Sequence, residues 1–255
     1  MDQSEILAHL DEERRGLVRD GEVLESRPGT TRLRAADGSN CAISYSALNA
    51  EIADSAIARE IEHHRRLAAP FEWKLYSHDG PVDLLDRLQR HGFEIGPMEA
   101  VLVYDLAHPA EWITRNDANV VQRIDRIADV EVFRKVAEQV FQKNYAFTAS
   151  QLSTAVTAGS TQHRGYIAYA ADHPASIGRL YTHPKSRFGG LYGGGTLPAF
   201  RGHGLYRAVV AARARDAIAF GARYLIVDAL PTSRPILERL GFVWVADTWP
   251  CEWRS

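Results

Sequence analysis

Thr196-Leu197-Pro198-Ala199-Phe200-Arg201-Gly202-His203-Gly204-Leu205-Tyr206-Arg207 joins the end of a glycine-rich strand to the start of a long helix. The glycines on either side of His203 let the backbone turn sharply and present bare N–H groups at the helix start. Such a helix N-terminus carries partial positive charge and accepts a phosphate or pyrophosphate. Arg201 adds a fixed cation whose planar fork of donors suits phosphate oxygens. No Gly-Lys-Ser/Thr follows, so the stretch is not a P-loop. Gly202 to Arg207 also lacks the third glycine and the parallel βαβ setting of a dinucleotide fingerprint. Read alone, it is a generic anion cradle, and the order of elements around it has to say more.

Upstream, residues 188–197 read as a strand carrying Gly189, Gly190, Gly193, Gly194 and Gly195. Glycine weakens a strand, so so many in one strand point to a bulge and a close backbone approach, either to a ligand or to a tightly packed helix. Residues 164–171 and 175–183 complete an antiparallel meander with it, with Asp172-His173-Pro174 and Pro184-Lys185-Ser186 as turns. Before them come a short strand at 120–124, an amphipathic helix at 128–142 and a helix at 148–157 with Ser150 as its cap. Downstream, the helix 204–220 buries Leu205, Val209, Ala212 and Ala219 and stops at Gly221. An apolar strand 224–229, interrupted by Asp228, follows it. Ser233 or Thr232 then caps a helix with Pro235 in its first turn, ending at Gly241 before a strand that starts at Phe242 and extends as far as Trp253.

With this order in place, the chain resembles the GNAT superfamily of acetyl-CoA-dependent N-acetyltransferases over about residues 118–255. Thr196-x-Pro198-x-x-Arg201-Gly202-x-Gly204 is similar to that family's cofactor motif, and Ile236-Leu237-Glu238-Arg239-Leu240-Gly241-Phe242 to its late helix. The resemblance implies an α+β fold, a mixed but mainly antiparallel sheet flanked by helices. It implies that the strands 188–197 and 224–229 splay apart to admit pantetheine, bonded to backbone around Gly194, Gly195 and Thr196. It places the pyrophosphate on the N–H groups of Gly202, His203, Gly204, Leu205, Tyr206 and Arg207, with acetyl-CoA as co-substrate and no metal. Two positions depart from the family pattern. Tyr206 stands where a small residue is usual, its ring expected to point away, and Leu237 where many members carry the tyrosine that protonates the departing thiolate.

In the first half, a polar helix at 4–19 precedes a hairpin of 31–36 and 41–48 around Asp37-Gly38. Asn49 caps a helix running to about Leu67, and a strand follows at 71–76. A short helix through Leu84, Leu85 and Leu88 stops at Gly92, and a strand closes the unit at 100–106. The order strand, helix, Gly92-Phe93, strand repeats the order around Gly241-Phe242. The expectation is two tandem copies: 1–115, degenerate and without a cofactor loop, and 116–255, which binds acetyl-CoA. An unrelated α+β cap is the alternative.

Composition agrees with a globular chain: 255 residues, 45% hydrophobic and 24% charged, with net charge −2. That balance gives no reason to expect nucleic acid as a partner, and no apolar run approaches a membrane span. The acidic start differs from a secretory signal, and two distant cysteines, Cys41 and Cys251, fit a reduced cytoplasmic setting. His63-His64 cannot share a helical face and reads as a solvated or dipole-facing pair. Glu72-Trp73-Lys74 reads as alternating faces of a half-buried strand.

The family resemblance implies direct attack of a primary amine of a small molecule or peptide on the acetyl thioester. An alkyl ammonium with a pKa of about 10 must first lose a proton. The catalytic groups are not visible in the sequence. Asp228 is a weak candidate base, with Glu252 and the C-terminal carboxylate behind it, and Asp228 is equally suited to a structural role. Cys251 reads as a small buried hydrophobe. Tyr192, Trp249 and Trp253 are either acceptor-pocket walls or core. The missing tyrosine at Leu237 keeps a second reading open, a catalytically inactive CoA-binding module for regulation or assembly.

Overall fold

The computed structural model describes residues 2–19, 21–38, 40–114 and 121–254. Contacts divide the chain into two compact units, Met1–Leu102 with Asp228–Ser255, and Val103–Val227. The first unit opens with α1 (Gln3–Gly16), whose first turn is capped by Asp2 accepting from the Ser4 N–H at 2.9 Å. β1 (Glu22–Arg27), β2 (Thr30–Ala35) and β3 (Cys41–Ser46) form an antiparallel meander. α2 (Ala53–Leu67) then crosses over to β4 (Phe71–Tyr76), which lies parallel to β3. α3 (Leu84–Arg90), β5 (Glu94–Ile95) and β6 (Glu99–Asp105) follow, β6 running from the first unit into the second.

In the second unit, α4 (Glu111–Thr114) and β7 (Val121–Arg123) lead to α5 (Ile127–Phe141) and α6 (Ala146–Thr157). β8 (His163–Ala170), β9 (His173–Tyr181) and β10 (Phe188–Thr196) form a second antiparallel meander, with β7 on its edge. α7 (Leu205–Phe220) crosses over to β11 (Tyr224–Ala229), parallel to β10. α8 (Arg234–Arg239) and β12 (Val243–Trp253) end the chain, and both belong to the first unit.

These units differ from the sequence halves 1–115 and 116–255 at both ends of the division. β12 pairs along β4 from Thr248↔Tyr76 to Trp253↔Phe71, which carries residues 228–255 into the first unit. The tail of β6 goes the other way: Leu106 N–H donates to Arg223 O at 3.0 Å, and Asp105 pairs with Arg223. The expected connection between the halves, at 108–117, lies partly outside the described residues, as does Val120 of the expected strand 120–124.

Each unit has its own core. Trp73 and Ile43 are fully buried among Ile57, Phe71, Phe93 and Trp253 in the first. Phe133, Leu152, Ile167 and Ile177 are buried together in the second, under α5 and α6. No helix among the described residues is long and apolar enough to cross a membrane.

Several local expectations need correction. β1 has no clean alternation, being an edge strand whose side chains are partly or fully exposed, so nothing in its pattern marked it. Ser150 lies inside α6 rather than capping it; Asn144 accepts from the Ala146 N–H at 2.7 Å instead. Ser233 stands at the N-cap of α8, but its hydroxyl donates back to Leu230 O and caps nothing. His63-His64 is not a solvated pair: His64 is 1% exposed and stacks on Phe71 with ring centroids 4.1 Å apart.

Burial, then the charges of Arg32 and His63, push the His64 pKa down to about 4, with Glu60 opposing. An unfolded histidine titrates at about 6.5, so between these values the unfolded chain binds the extra proton. Stability from this group is complete above about pH 6.5 and is lost as the pH falls towards 4. We predict that the drop in urea-unfolding free energy from pH 7.5 to pH 4.5 is smaller in His64→Leu than in the wild type by about 2 kcal/mol. Parallel profiles for the two proteins would show that His64 does not titrate with folding.

Candidate functional site

The site in the second unit starts from a defect in β10. Its parallel pairing with β11 lasts from Phe188↔Tyr224 to Gly190↔Ile226 and then stops, while β10 runs on to Thr196. Against β9 the register holds at Tyr192↔Arg179, shifts, and resumes at Gly195↔Ile177. Gly193 sits at φ +54° inside this bulge, a left-handed conformation that favours glycine. Beyond Gly190 the strand therefore keeps one ladder, on its β9 side, and the other edge has parted from its neighbour.

Helix packing accounts for three of the strand's five glycines. A Cβ on Gly195 would lie 2.5 Å from Val140 Cγ1 and 3.1 Å from the Phe141 ring, on the α5 side. On the opposite face, a Cβ on Gly194 would lie 3.1 Å from the Tyr206 ring, and one on Gly189 would lie 3.1 Å from Ala217. Of the two explanations left open by the sequence, close packing of helices is the one these glycines require.

The loop after the strand is anchored and then opens. Leu197 N–H donates to Ala175 O at 2.9 Å, and Ser176 Oγ donates to Gly195 O at 3.0 Å while meeting Thr196 Oγ1 at 2.8 Å. Pro198–Phe200 make one 3-10 turn, and Arg201 Nε donates back to Thr196 O at 3.3 Å. Gly202 at φ +81° and Gly204 at φ +76° make the reversal, and no atom comes within 4 Å of where their Cβ atoms would be. The first helical bond of α7 runs from Ala208 N–H to Gly204 O at 3.0 Å. The N–H groups of Gly202, His203, Gly204, Leu205, Tyr206 and Arg207 thus have no acceptor among the described residues.

Side chains leave this entrance clear. Gly202, His203, Gly204 and Arg207 are exposed, and Leu205 is buried in the core. The Tyr206 ring turns inward beneath Gly194, its hydroxyl facing the Arg213 charge, so the bulky residue keeps its N–H at the mouth. The described geometry thus brings Gly194, Gly195, Thr196 and Arg201 to Arg207 into one continuous segment with an open row of donors.

The candidate catalytic groups lie in the first unit. Asp228 Oδ2 is 3.0 Å from Lys74 Nζ, which also donates to Glu99 at 3.3 Å. Burial works against the Lys74 charge, but Asp228, Tyr76 and Glu99 together outweigh it and strengthen its hold on the proton. Asp228 is thus the partner of a half-buried cation rather than a free base. Glu72 and Glu99 beside it bind protons more readily than ordinary carboxylates, through burial first, with Lys74 opposing and the neighbouring acids adding to it. The sequence reading takes Glu72 as one face of a half-buried strand and passes over Glu99. The usable signal was charge inside otherwise apolar strands, Glu72 and Lys74 within 71–76 and Glu99 at the head of β6.

Other candidates resolve differently. Leu237 is fully buried and carries no proton to give. Cys251 is buried, its thiol pushed up to about 12 by burial and then by Glu72. Trp253 is buried in the first core and the half-buried Trp249 packs against it, while Tyr192 is 41% exposed. Glu252 pairs with Arg254 at 2.6 Å. The C-terminal carboxylate lies outside the described residues. Asp11, His78 and Asp79 come close enough to suit a metal ion, but Arg14 already lies between the two carboxylates, at 2.6 Å from Asp11 and 2.7 Å from Asp79.

No protein-family model matches the sequence, and no curated protein matches it either. Solved structures do match. A GCN5-related N-acetyltransferase from Kribbella flavida superposes with a TM-score of 0.66 at 15% identity, covering 98% of this chain and 93% of its own. A conserved protein of unknown function from Staphylococcus epidermidis gives 0.67 at 14% identity, covering 92% and 95%. A tandem GNAT protein from the clavulanic acid biosynthesis pathway gives 0.57 at 12% identity, covering 92% and 83%. At these identities the likeness is one of fold: the chain has the fold of the GNAT N-acetyltransferases, mainly antiparallel sheet flanked by helices.

Proposed function

We propose that the second unit binds acetyl-CoA and that the protein transfers the acetyl group to a primary amine of a small molecule or peptide. The observation that carries this reading is the row of unpartnered N–H groups from Gly202 to Arg207, at the end of a strand that has left its parallel neighbour. A dianionic pyrophosphate satisfies those donors and the helix dipole together, with Arg201 and Arg207 exposed beside it. The free edge of β10 around Gly194, Gly195 and Thr196 offers backbone groups to the amides of pantetheine. Ser176 already occupies Gly195 O, so that carbonyl is fixed rather than offered.

Bound acetyl-CoA would supply an activated thioester. The ammonium gives one proton to water, and the neutral amine adds to the carbonyl carbon. As the C–S bond breaks, the sulfur leaves as thiolate and the nitrogen releases its second proton to water. Bulge N–H groups at Gly193 and Gly194 stand ready to stabilise the carbonyl oxygen as charge develops there. Holding amine and thioester side by side supplies much of the acceleration. Departure of the sulfur needs no tyrosine at Leu237, because a thiol with a pKa of about 8.5 leaves readily as thiolate. Leu237 still motivates the second reading, a module that binds the coenzyme without turnover.

The first unit is proposed to be a degenerate copy. The sequence halves 1–115 and 116–255 each run antiparallel meander, crossover helix, parallel strand and short helix in the same order. The entrance to α2 is closed by its own side chain: Asn49 Oδ1 accepts from the N–H groups of Glu51 and Ile52 at 3.0 and 3.1 Å. The N–H groups of Glu51, Ile52 and Ala53 leading into α2 are thus satisfied internally, and no Arg-Gly-x-Gly precedes it.

Thermal unfolding with increasing acetyl-CoA tests the site. A ligand at 100 times its Kd stabilises the folded state by about 2.7 kcal/mol. We expect this for the wild type and most of it for Gly204→Asn, since asparagine tolerates the left-handed backbone at this position. Gly204→Asp, nearly the same shape but anionic, should lose it. Full stabilisation of Gly204→Asp would put the pyrophosphate elsewhere. Stabilisation without thiol release across a broad amine panel would favour the non-catalytic module.

A further inference from the structure

Two arginines are enclosed in the second unit without a carboxylate beside them, and they differ in one respect. Arg213 on α7 is 1% exposed, yet its guanidinium is used by the fold: it donates to Val209 O at 3.3 Å and Arg179 O at 3.2 Å, with the Tyr206 ring beside it at Gly194. Arg179 on β9 is partly buried with its Nε fully enclosed and unpartnered. Its guanidinium makes no hydrogen bond or ion pair with any described residue. Burial weakens its hold on the proton, and among the described residues Tyr145, Tyr192 and Tyr181 offset this in part. Burying a cation without an anion is destabilising, so the fold alone gives no reason for Arg179 to be there.

Its location supplies one. Arg179 is the partner of Tyr192 at the last pair before the bulge, on the face of the sheet that Ile177 shares with α5 and α6. A Cβ on Gly193 would lie 3.6 Å from Arg179 Nε and 3.7 Å from Nη2, so the guanidinium flanks the bulged backbone. Around it stand the Tyr181 and Tyr192 rings, 6.3 Å apart, and Tyr145 at the start of α6. His163 stacks on Tyr181 at 4.6 Å and stays neutral near pH 7, because burial and then the Arg179 charge push its pKa down to about 4. Arg213 lies on the α7 face, beneath Gly178 and Gly194. On the α5 and α6 face the described residues present one guanidinium, that of Arg179, as a planar fork between aromatic walls. That matches a monoanionic carboxylate, which a guanidinium grips through two parallel hydrogen bonds, better than a phosphate dianion, which calls for further cations.

We propose that Arg179 binds the carboxylate of the acceptor, so that the acceptor is a small molecule carrying both a primary amine and a carboxylate. The inference rests on the acetyl-transfer reading, since it takes the bulge as the place where the amine meets the thioester. With the carboxylate on Arg179 beside Gly193, a short carbon chain brings the amine to the bulge, and the tyrosines contact the remainder of the molecule.

The test pairs each of the standard L-amino acids with its carboxamide as acceptor and follows thiol release from acetyl-CoA. The wild type should favour at least one acid over its amide by about tenfold or more in kcat/KM. Arg179→Met should bring that ratio close to one, mainly by raising KM for the acid, and Arg179→Lys should restore part of it. Stabilisation by acetyl-CoA should be the same in wild type and Arg179→Met. Equal use of acid and amide, a ratio unchanged in Arg179→Met, or no acetylation of any acid while acetyl-CoA still binds would each overturn the proposal. Failure of acetyl-CoA to stabilise the wild type would overturn the acetyl-transfer reading itself. Melting without ligand reports independently: Arg179→Met should be at least as stable as the wild type, and a clear loss of stability would assign Arg179 a structural role instead.

Discussion

The bulge at Gly193 and Gly194 is the constraint on which the second unit turns. A strand with parallel and antiparallel neighbours along its whole length has no backbone group to spare. β10 leaves its parallel neighbour after Gly190 and slips its register against β9 between Tyr192 and Gly195. The positive φ at Gly193 and the absence of side chains at Gly194 and Gly195 make that path possible while α5 and α7 press on the two faces. The same path delivers the chain to the loop at 201–204, where the N–H groups of the α7 entrance are left without acceptors. Strand defect and open helix end are two results of one backbone course.

The first unit shows what the same order of elements does without that course. β3 and β4 pair in parallel on either side of a crossover helix, as β10 and β11 do. The turn leading into its helix, however, is closed by Asn49, and its polar interior is spent on ion pairs. Arg32 reaches Glu60 at 2.5 Å and Arg14 reaches Asp79 at 2.7 Å, each a buried cation with its anion in place. Against these, Arg179 stands out because it has no such partner among the described residues. Removing a partner from a buried pair is strongly destabilising, so a protein that leaves one out has a use for the free charge.

Much of this was legible in the sequence, for physical reasons. Glycines and a proline around Arg201 mark the turn because their conformational limits are written in their covalent structure. Strands and helices of the second half follow from apolar period and from stops such as Gly221 and Gly241. Less legible was anything that depends on which strand pairs with which. The departure of residues 228–255 to the first unit rests on β12 pairing with β4, a contact between segments about 170 residues apart. His64 looked solvated because its helical neighbours are charged, and only the approach of Phe71 buries it. Lys74 and Glu99 became an ion-pair cluster with Asp228 through strand neighbours that no local pattern encodes. Arg179 was hidden for a similar reason: within the strand 173–181 it is one charge among apolar residues, and what distinguishes it is the absence of a partner across the sheet.

The central claim is that the backbone from Gly202 to Arg207 receives the pyrophosphate of acetyl-CoA. Backbone amide NMR during titration with acetyl-CoA tests it most directly. The account predicts that the largest downfield proton shifts fall on the amides of Gly202 to Arg207, as their free N–H groups gain phosphate acceptors, while those of Glu51 and Ile52 at the α2 entrance stay in place. Binding that leaves the 202–207 amides unmoved, or that moves the α2 entrance instead, would contradict it.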